Sequence, residues 1–275
     1  MLSFLTLEIK PILRYDINMP MWRNWFTRTT QNRMDASPCG FDSHHRHHKK
    51  MIKDKILDFE WNSKIAYAVG LITTDGSLSK DGRHIVLVST DYQILENFQK
   101  CLNFDTKITN KLPGIWSKKK VYKVQFSNVN FYRWLMTIGL MPNKTTVISS
   151  LKIPDKYFRD FLRGHLDGDG DVITYLDKYN KKSEKYVYER LYTKFCSASF
   201  EHILWLRSKI QKILNISGSL TKFVMKDRVL PQWRLRFAKN DSLKLYYWMY
   251  YSDDVLCLDR KKEKFEEFLK SKKVR

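Results

Sequence analysis

Leu162-Arg163-Gly164-His165-Leu166-Asp167-Gly168-Asp169-Gly170 closes a segment that begins at Asp155, and Ala68-Val69-Gly70-Leu71-Ile72-Thr73-Thr74-Asp75-Gly76 closes one that begins at Trp61. Both segments carry apolar residues at helical spacing: Ile65, Ala66, Val69 and Ile72 in the first, and Phe158, Phe161, Leu162 and Leu166 in the second. Asn62 or Ser63 can cap the first helix, and Gly76 and Gly170 terminate the pair. Each helix also places small residues four apart, Gly70 with Thr74 and Gly164 with Gly168. That spacing lets two helix backbones approach closely. Packed so, the helices bring Asp75 and Asp169 side by side where both helix dipoles are negative. The position is unfavourable for a carboxylate by roughly 0.3–1 kcal/mol. A divalent cation removes the conflict, and hard Mg²⁺ takes carboxylate and phosphate oxygens. One Asp-Gly pair is common turn chemistry. A second copy, 94 residues on (169 − 75), at the matching point of a repeat indicates a site.

The repeat extends outward from these helices. In the first half, a strand over 83–89 precedes a helix over 92–102. Strands over 107–111 and 121–127 then flank Pro113-Gly114, and a helix over 131–138 ends at Gly139. In the second half, strands run to Ser197, a helix covers 200–214, a hairpin spans 219–238, and closing helices cover 241–250 and 261–270. The order helix, two strands, helix, two strands, helix thus occurs twice, which predicts a pseudo-twofold α+β molecule. Half-domains are expected over 51–153 and 154–275.

Residues 1–50 show neither helical nor strand periodicity and are expected to form a disordered extension. Cys39 and the run His44-His45-Arg46-His47-His48 lack the paired-ligand spacing of a zinc site. Codons for Cys39 to Ser43 and these histidines can instead spell the T-arm and CCA end of a transfer RNA gene. That reading moves the functional start to Met51.

The chain of 275 residues has 50 Lys+Arg against 29 Asp+Glu, a formal charge of +21, which calls for an anionic partner. The first 50 residues hold eight of the basic and four of the acidic residues, so the excess belongs to the duplicated part. With 43% hydrophobic and 14% aromatic residues the chain can build a core, which excludes a disordered polybasic tail. No apolar run approaches the roughly 20 residues of a membrane span, and no secretory signal opens the chain. The four cysteines are scattered, without a disulfide or zinc pattern. An intracellular protein of cytoplasm, nucleoid or organelle is expected, with nucleic acid rather than membrane as partner.

The paired motifs resemble the signature of LAGLIDADG homing endonucleases in their single-chain form. The second copy matches at its anchoring Leu, Gly, Asp and final Asp-Gly; the first keeps Gly70, Leu71, Ile72, Asp75 and Gly76. Thr73 stands where an acidic residue is common, and Arg163 and His165 replace apolar positions. The resemblance covers about 51–275. It implies two αββαββα half-domains whose antiparallel sheets form a saddle over DNA, with Asp75 and Asp169 holding Mg²⁺ ions, each half cutting one strand to leave short 3′ overhangs. It also implies a basic residue near each metal, just before the last helix of each half, at Lys144 and Lys261. The implied chain is a monomer encoded in a mobile intron or a free-standing gene, with a long DNA target.

Base reading is expected from strands that alternate apolar and polar residues. Gln232, Arg234 and Arg236 share one face, opposite Trp233, Leu235 and Phe237. Lys123, Gln125 and Ser127 likewise oppose Tyr122, Val124 and Phe126. Arg and Gln suit bidentate contacts to guanine and adenine in the major groove. Arg83, Arg190, Lys194, Lys222, Lys226 and Arg228 are expected to extend this surface, mostly through phosphates. Two alternatives keep the fold without the chemistry: an RNA maturase that binds intron RNA and assists splicing, and a cleavage-inactive DNA-binding regulator. Retention of both aspartates favours cleavage.

Overall fold

The computed structural model describes residues 59–111, 120–178, 187–224 and 230–273. The extension 1–50, with its histidine cluster, lies outside the described residues, as do Lys226 and Arg228. The first half runs α1 (Ser63–Thr74), β1 (Gly76–Leu78), β2 (His84–Ser89), α2 (Tyr92–Leu102), β3 (Thr109–Lys111), β4 (Val121–Ser127), α3 (Val129–Thr137). The second runs α4 (Phe158–Asp169), β5 (Asp171–Lys178), β6 (Val187–Ser197), α5 (Phe200–Leu214), β7 (Ser219–Phe223), β8 (Gln232–Phe237), α6 (Lys239–Met249), and ends with α7 (Asp259–Lys273). A 3₁₀ turn over Asp155–Tyr157 leads into α4, so the expected helix from Asp155 is met by the two together. Each half has one four-stranded antiparallel sheet, ordered β1-β2-β4-β3 and β5-β6-β8-β7. The duplication expected from the sequence is therefore present in the α+β architecture.

The repeat reaches down to its turns. Ser89 Oγ accepts the Asp91 N–H at 3.2 Å ahead of α2, and Ser197 Oγ accepts the Ser199 N–H at 3.1 Å ahead of α5. Both helices end in an asparagine of left-handed conformation, Asn103 (φ 49°) and Asn215 (φ 52°), a geometry whose steric cost asparagine tolerates best after glycine. Asn62, rather than Ser63, caps α1, its Oδ1 accepting the Ile65 N–H at 2.9 Å.

The helices α1 and α4 meet on the expected small-residue faces. A Cβ added to Gly164 would lie 2.2 Å from the Tyr67 carbonyl oxygen and 3.2 Å from the Gly70 Cα. One added to Gly70 would lie 2.3 Å from the Phe161 carbonyl oxygen. One added to Gly168 would lie 1.9 Å from Thr74 Oγ1. The obstacles at Gly70 and Gly164 are backbone, which cannot step aside. Around this seam every residue from Ile65 to Thr73 is buried. The inner faces of both sheets, through Ile85, Leu87, Val124, Leu191, Phe195, Leu235 and Phe237, pack into the same core.

The extra closing helix of the second half is as expected, and the differences from the sequence reading concern the two lysines and two packed polar residues. Helix α7 has no counterpart in the first half, where residues 141–150 form turns and extended chain. Lys144 therefore follows its half's last helix, and Lys261 lies within the first turn of α7 rather than before it. Arg163 and His165, at positions expected to be apolar, are fully packed, as described below. Among the described residues no helix is long and apolar enough to cross a membrane, and Cys101, Cys196 and Cys257 are free thiols.

Substituting Gly164→Ala should destabilise the protein by about 2–3 kcal/mol in urea unfolding, the scale of overpacking a rigid seam. Ser77→Ala, on an exposed position of β1, should stay within about 0.5 kcal/mol.

Candidate nucleic-acid interface and metal site

The end of the glycine seam gathers two aspartates and two lysines. Asp75 caps the C-terminus of α1 and Asp169 is the last residue of α4. Asp75 is half-buried and Asp169 exposed. Burial, seconded by the charge of Asp169, lifts the Asp75 carboxyl to about 7 against the opposing charges of Lys261 and Lys144. The same environment lowers Lys144 to about 8 through burial, against the pull of Asp169 and Asp75. The charge of Asp169 is thus felt at Asp75 across the ends of α1 and α4.

The two lysines are related by the repeat but are held differently. Lys144 is 6% exposed and its ammonium donates to the Gly76 carbonyl, just past α1. Lys261 is 2% exposed and donates to the carbonyls of Leu166 (2.6 Å), Asp167 (2.7 Å), Gly168 (3.3 Å) and Gly170 (2.8 Å). Carbonyls at a helix C-terminus run short of N–H partners, although that of Leu166 also accepts the Gly170 N–H at 3.0 Å, and a cation there also complements the helix dipole. Burial lowers Lys261 as well. Charged residues, Arg260 and Lys262, flank it in sequence. The fold buries it completely.

Both carboxylates and the glycine carbonyls beside them are hard oxygen donors suited to Mg²⁺. Their geometry, two carboxylates at opposed dipole ends with raised proton affinity at Asp75, fits a divalent cation. Among the described residues no group of three or more His, Cys, Asp or Glu forms a closed metal cage. An open two-carboxylate site leaves coordination positions for phosphate oxygens and water.

Several functional neighbours were not legible in the sequence. Asp167, buried and raised to about 6, accepts the Tyr67 hydroxyl at 2.7 Å and the Leu258 N–H at 2.9 Å. It ties α4 to α1 and to the segment just before α7. Thr73 replaces the corresponding acid in α1 and donates back to the Val69 carbonyl at 2.7 Å. Arg163 is neutralised by Asp160 at 2.8 Å and donates to the carbonyls of Met249 (2.6 Å) and Leu256 (2.9 Å). His165 meets His202, Nε2 to Nε2 at 3.2 Å. His202 Nδ1 faces the Ser149 carbonyl at 2.8 Å and so carries the proton there. In the neutral pair His165 Nε2 must then be the donor. Burial holds both imidazoles below their usual range, which keeps them uncharged beside the lysines. Apart from Val69 and Asp160, which lie four and three residues away on the same helices, these partners are remote in sequence, and only the residue types Asp, Tyr, Arg and His on an otherwise apolar face signal that something must satisfy them.

The outer sheet faces follow from register and burial. On β4, Val124 and Phe126 are buried while Gln125 and Ser127 are exposed and Lys123 is half-buried. On β8, Leu235 and Phe237 are buried while Arg236 is exposed and Gln232 and Arg234 are half-buried. Arg190 and Lys194 share the outer face of β6 but are ion-paired with Asp177 (2.9 Å) and Asp171 (3.3 Å) of β5. Arg83 lies at the hairpin before β2, 3.8 Å from Asp81. Lys222 is on the other face: it registers with Trp233, its ammonium 5.7 Å from that ring, while the adjacent Thr221 registers with Arg234. A cavity of about 180 Å³ runs from Asp169 and Lys144 to Cys196 and Gln232, joining the carboxylate site to the outer face of the second sheet.

Residues 62–139 match the family model described as the LAGLIDADG-like domain. Residues 62–139 are thus similar to the LAGLIDADG-like domain, and the resemblance to LAGLIDADG homing endonucleases drawn from the motifs is borne out. The second half repeats the element order and motif of these residues. Solved structures similar to the chain include full-length DUF199/WhiA from Thermatoga maritima (13% identity, 77% of this chain and 63% of that one, TM-score 0.46). Others are the homing endonuclease I-WcaI bound to its DNA recognition sequence (13%, 74% and 88%, 0.46) and the LAGLIDADG meganuclease I-AabMI bound to uncleaved DNA (15%, 78% and 91%, 0.46). The chain thus spans less than two thirds of the full-length DUF199/WhiA. No curated protein matches it.

Because the Asp75 carboxyl titrates near 7 when folded and near 4 when unfolded, folding binds a proton between those values. Stability from this group is complete below about pH 4 and is lost as pH rises through about 7. Without divalent metal, Asp75→Asn should therefore stabilise the protein by about 1–3 kcal/mol at pH 8, allowing for partial exposure, and by almost nothing at pH 4. Urea unfolding at the two pH values measures the difference.

Proposed function

We propose that the chain is a monomeric, metal-dependent, site-specific DNA endonuclease that cleaves both strands of a long target. The observation that carries the reading is the convergence of Asp75 and Asp169 at the end of the glycine seam, with Lys144 and Lys261 buried beside them. A regulator that only binds DNA has no need of two carboxylates held against two helix dipoles. The DNA named for the similar structures I-WcaI and I-AabMI agrees with this partner.

In this reading Asp75 and Asp169 hold Mg²⁺, one carboxylate per half. The ions supply charge neutralisation at the phosphate and a lowered pKa for bound water. The protein's own contribution is placement. The outer faces of the two sheets orient the duplex, and the seam fixes the separation of the two carboxylates. Lys144, with a proton affinity near neutrality, holds or releases a proton at Nζ beside the Gly76 carbonyl and offsets charge on the phosphate. Lys261 is a positioning residue: pinned to the last carbonyls of α4, it fixes the backbone that carries Asp169. Neither the deep His165–His202 pair nor Asp167 is required to touch substrate.

The test is incubation of the purified chain with its insertion-site DNA in Mg²⁺. The wild-type protein should produce a double-strand break with short 3′ overhangs. Asp75→Asn and Asp169→Asn should each lower double-strand cleavage at least ~100-fold, and residual nicks should fall on opposite strands in the two variants. Binding should weaken as salt rises, because counterions leave the phosphates on binding. Tight binding without cleavage in Mg²⁺, together with splicing of a host intron, would favour the maturase instead.

A further inference from the structure

The two outer sheet faces are built from different chemistry, although the halves share one topology. On the first sheet the register aligns Ser77, Val86 and Gln125 in one row and Val88, Lys123 and Thr109 in the next. Val86 and Val88 are half-buried on the outward side, alternating with the buried Ile85, Leu87 and Ser89. This face carries an amide, three aliphatic side chains (Val86, Val88 and Val121), His84 and two lysine positions, 123 and 111, but no arginine. On the second sheet the rows are Asp171, Lys194, Arg236 and Ser219; Cys196, Arg234 and Thr221; and Tyr175 with Arg190. This face carries three arginines.

The arginines are also held in place. The Arg236 guanidinium lies 4.6 Å from the Tyr192 ring centroid and that of Arg234 lies 3.5 Å from the Phe223 ring centroid. Stacking on an aromatic face fixes the plane of a guanidinium while leaving its edge donors free. Arg234 also donates to Gln232 Oε1 at 3.3 Å. No arginine of the first sheet's described strands has a comparable place.

Major-groove edges differ in what they accept. Arginine pairs bidentately with guanine O6 and N7, and Asp accepts from cytosine N4. Gln pairs with adenine N6 and N7, and aliphatic carbons contact the thymine methyl. From these rules we infer that the DNA target is compositionally asymmetric: the half-site under the second sheet is rich in G·C pairs, and the half-site under the first sheet is rich in A·T pairs. The lysines at 123 and 111, a residue type that can read guanine, and Gln232, which can read adenine, run against the majority on their respective faces. This inference rests on the duplex-binding part of the proposed function and deepens it. It does not depend on cleavage.

The test is selection of bound duplexes from a pool randomised over roughly two helical turns, using the full chain without Mg²⁺. The selected site should have one G·C-rich and one A·T-rich half. Arg236→Gln should weaken binding to the selected duplex roughly 5- to 150-fold and relax base preference in the G·C half alone. Gln125→Ala should relax the A·T half alone. Both side chains are exposed, so unchanged melting temperatures are expected for both variants. Equal composition in the two halves, or relaxation of the same half by both variants, overturns the inference. Failure to enrich any duplex overturns it together with the duplex-binding reading. An asymmetric selected site that is left uncut in Mg²⁺ supports the inference while removing the endonuclease reading.

Discussion

The contact between Gly70 and Gly164 is the constraint on which the rest of the molecule depends. It allows the backbones of α1 and α4 to touch, since a single added carbon at either position would overlap a carbonyl oxygen of the other helix. Because both helices run the same length past this contact, their C-termini arrive together, and so do the aspartates that end them. Everything chemical in the site follows from that arrival. Asp75 sits where burial, the charge of Asp169 and the dipole of its own helix all oppose ionisation, and its carboxyl is pushed up to about 7.

The surroundings counteract this stress unequally. Lys261 satisfies four carbonyls at the end of α4, whereas Lys144 satisfies one beyond α1. Asp167 locks α4 to Tyr67 of the opposite helix, while its counterpart Thr73 turns back onto its own helix. Helix α7, present only in the second half, supplies Lys261 and packs Phe265 and Phe268 into the core. The second half is thus the more firmly built side of a pseudo-symmetric site. The same inequality extends to the sheets, where the second face holds stacked arginines and the first holds valines and an amide.

Much of this was legible in the sequence because it rests on local rules. The ends of α2, α5 and β4 agree with apolar periodicity and turn chemistry to the residue, and the glycine seam follows from small residues four apart. Other features depend on partners far along the chain. Nothing near Arg163 or His165 announces the Met249 carbonyl or His202, whereas Asp160, three residues before Arg163, is the partner that helical spacing itself offers. The face of Lys222 was unreadable for a different reason: Thr221, Lys222 and Phe223 are all exposed, so β7 offers no alternation after Leu220 from which to count. The position of Lys144 after the last helix of its half, rather than before one, reflects the absence of any first-half equivalent of α7.

Proton affinity is the quantity that reports most directly on whether the seam brings the carboxylates together. Carbon-13 NMR titration of the Asp75 carboxyl, in metal-free protein, should give a midpoint at about 7 that moves toward the ordinary carboxylate range when Asp169 is replaced by Asn. A midpoint near 4 that ignores Asp169→Asn would contradict the account, since it would mean that the two aspartates do not share a buried site.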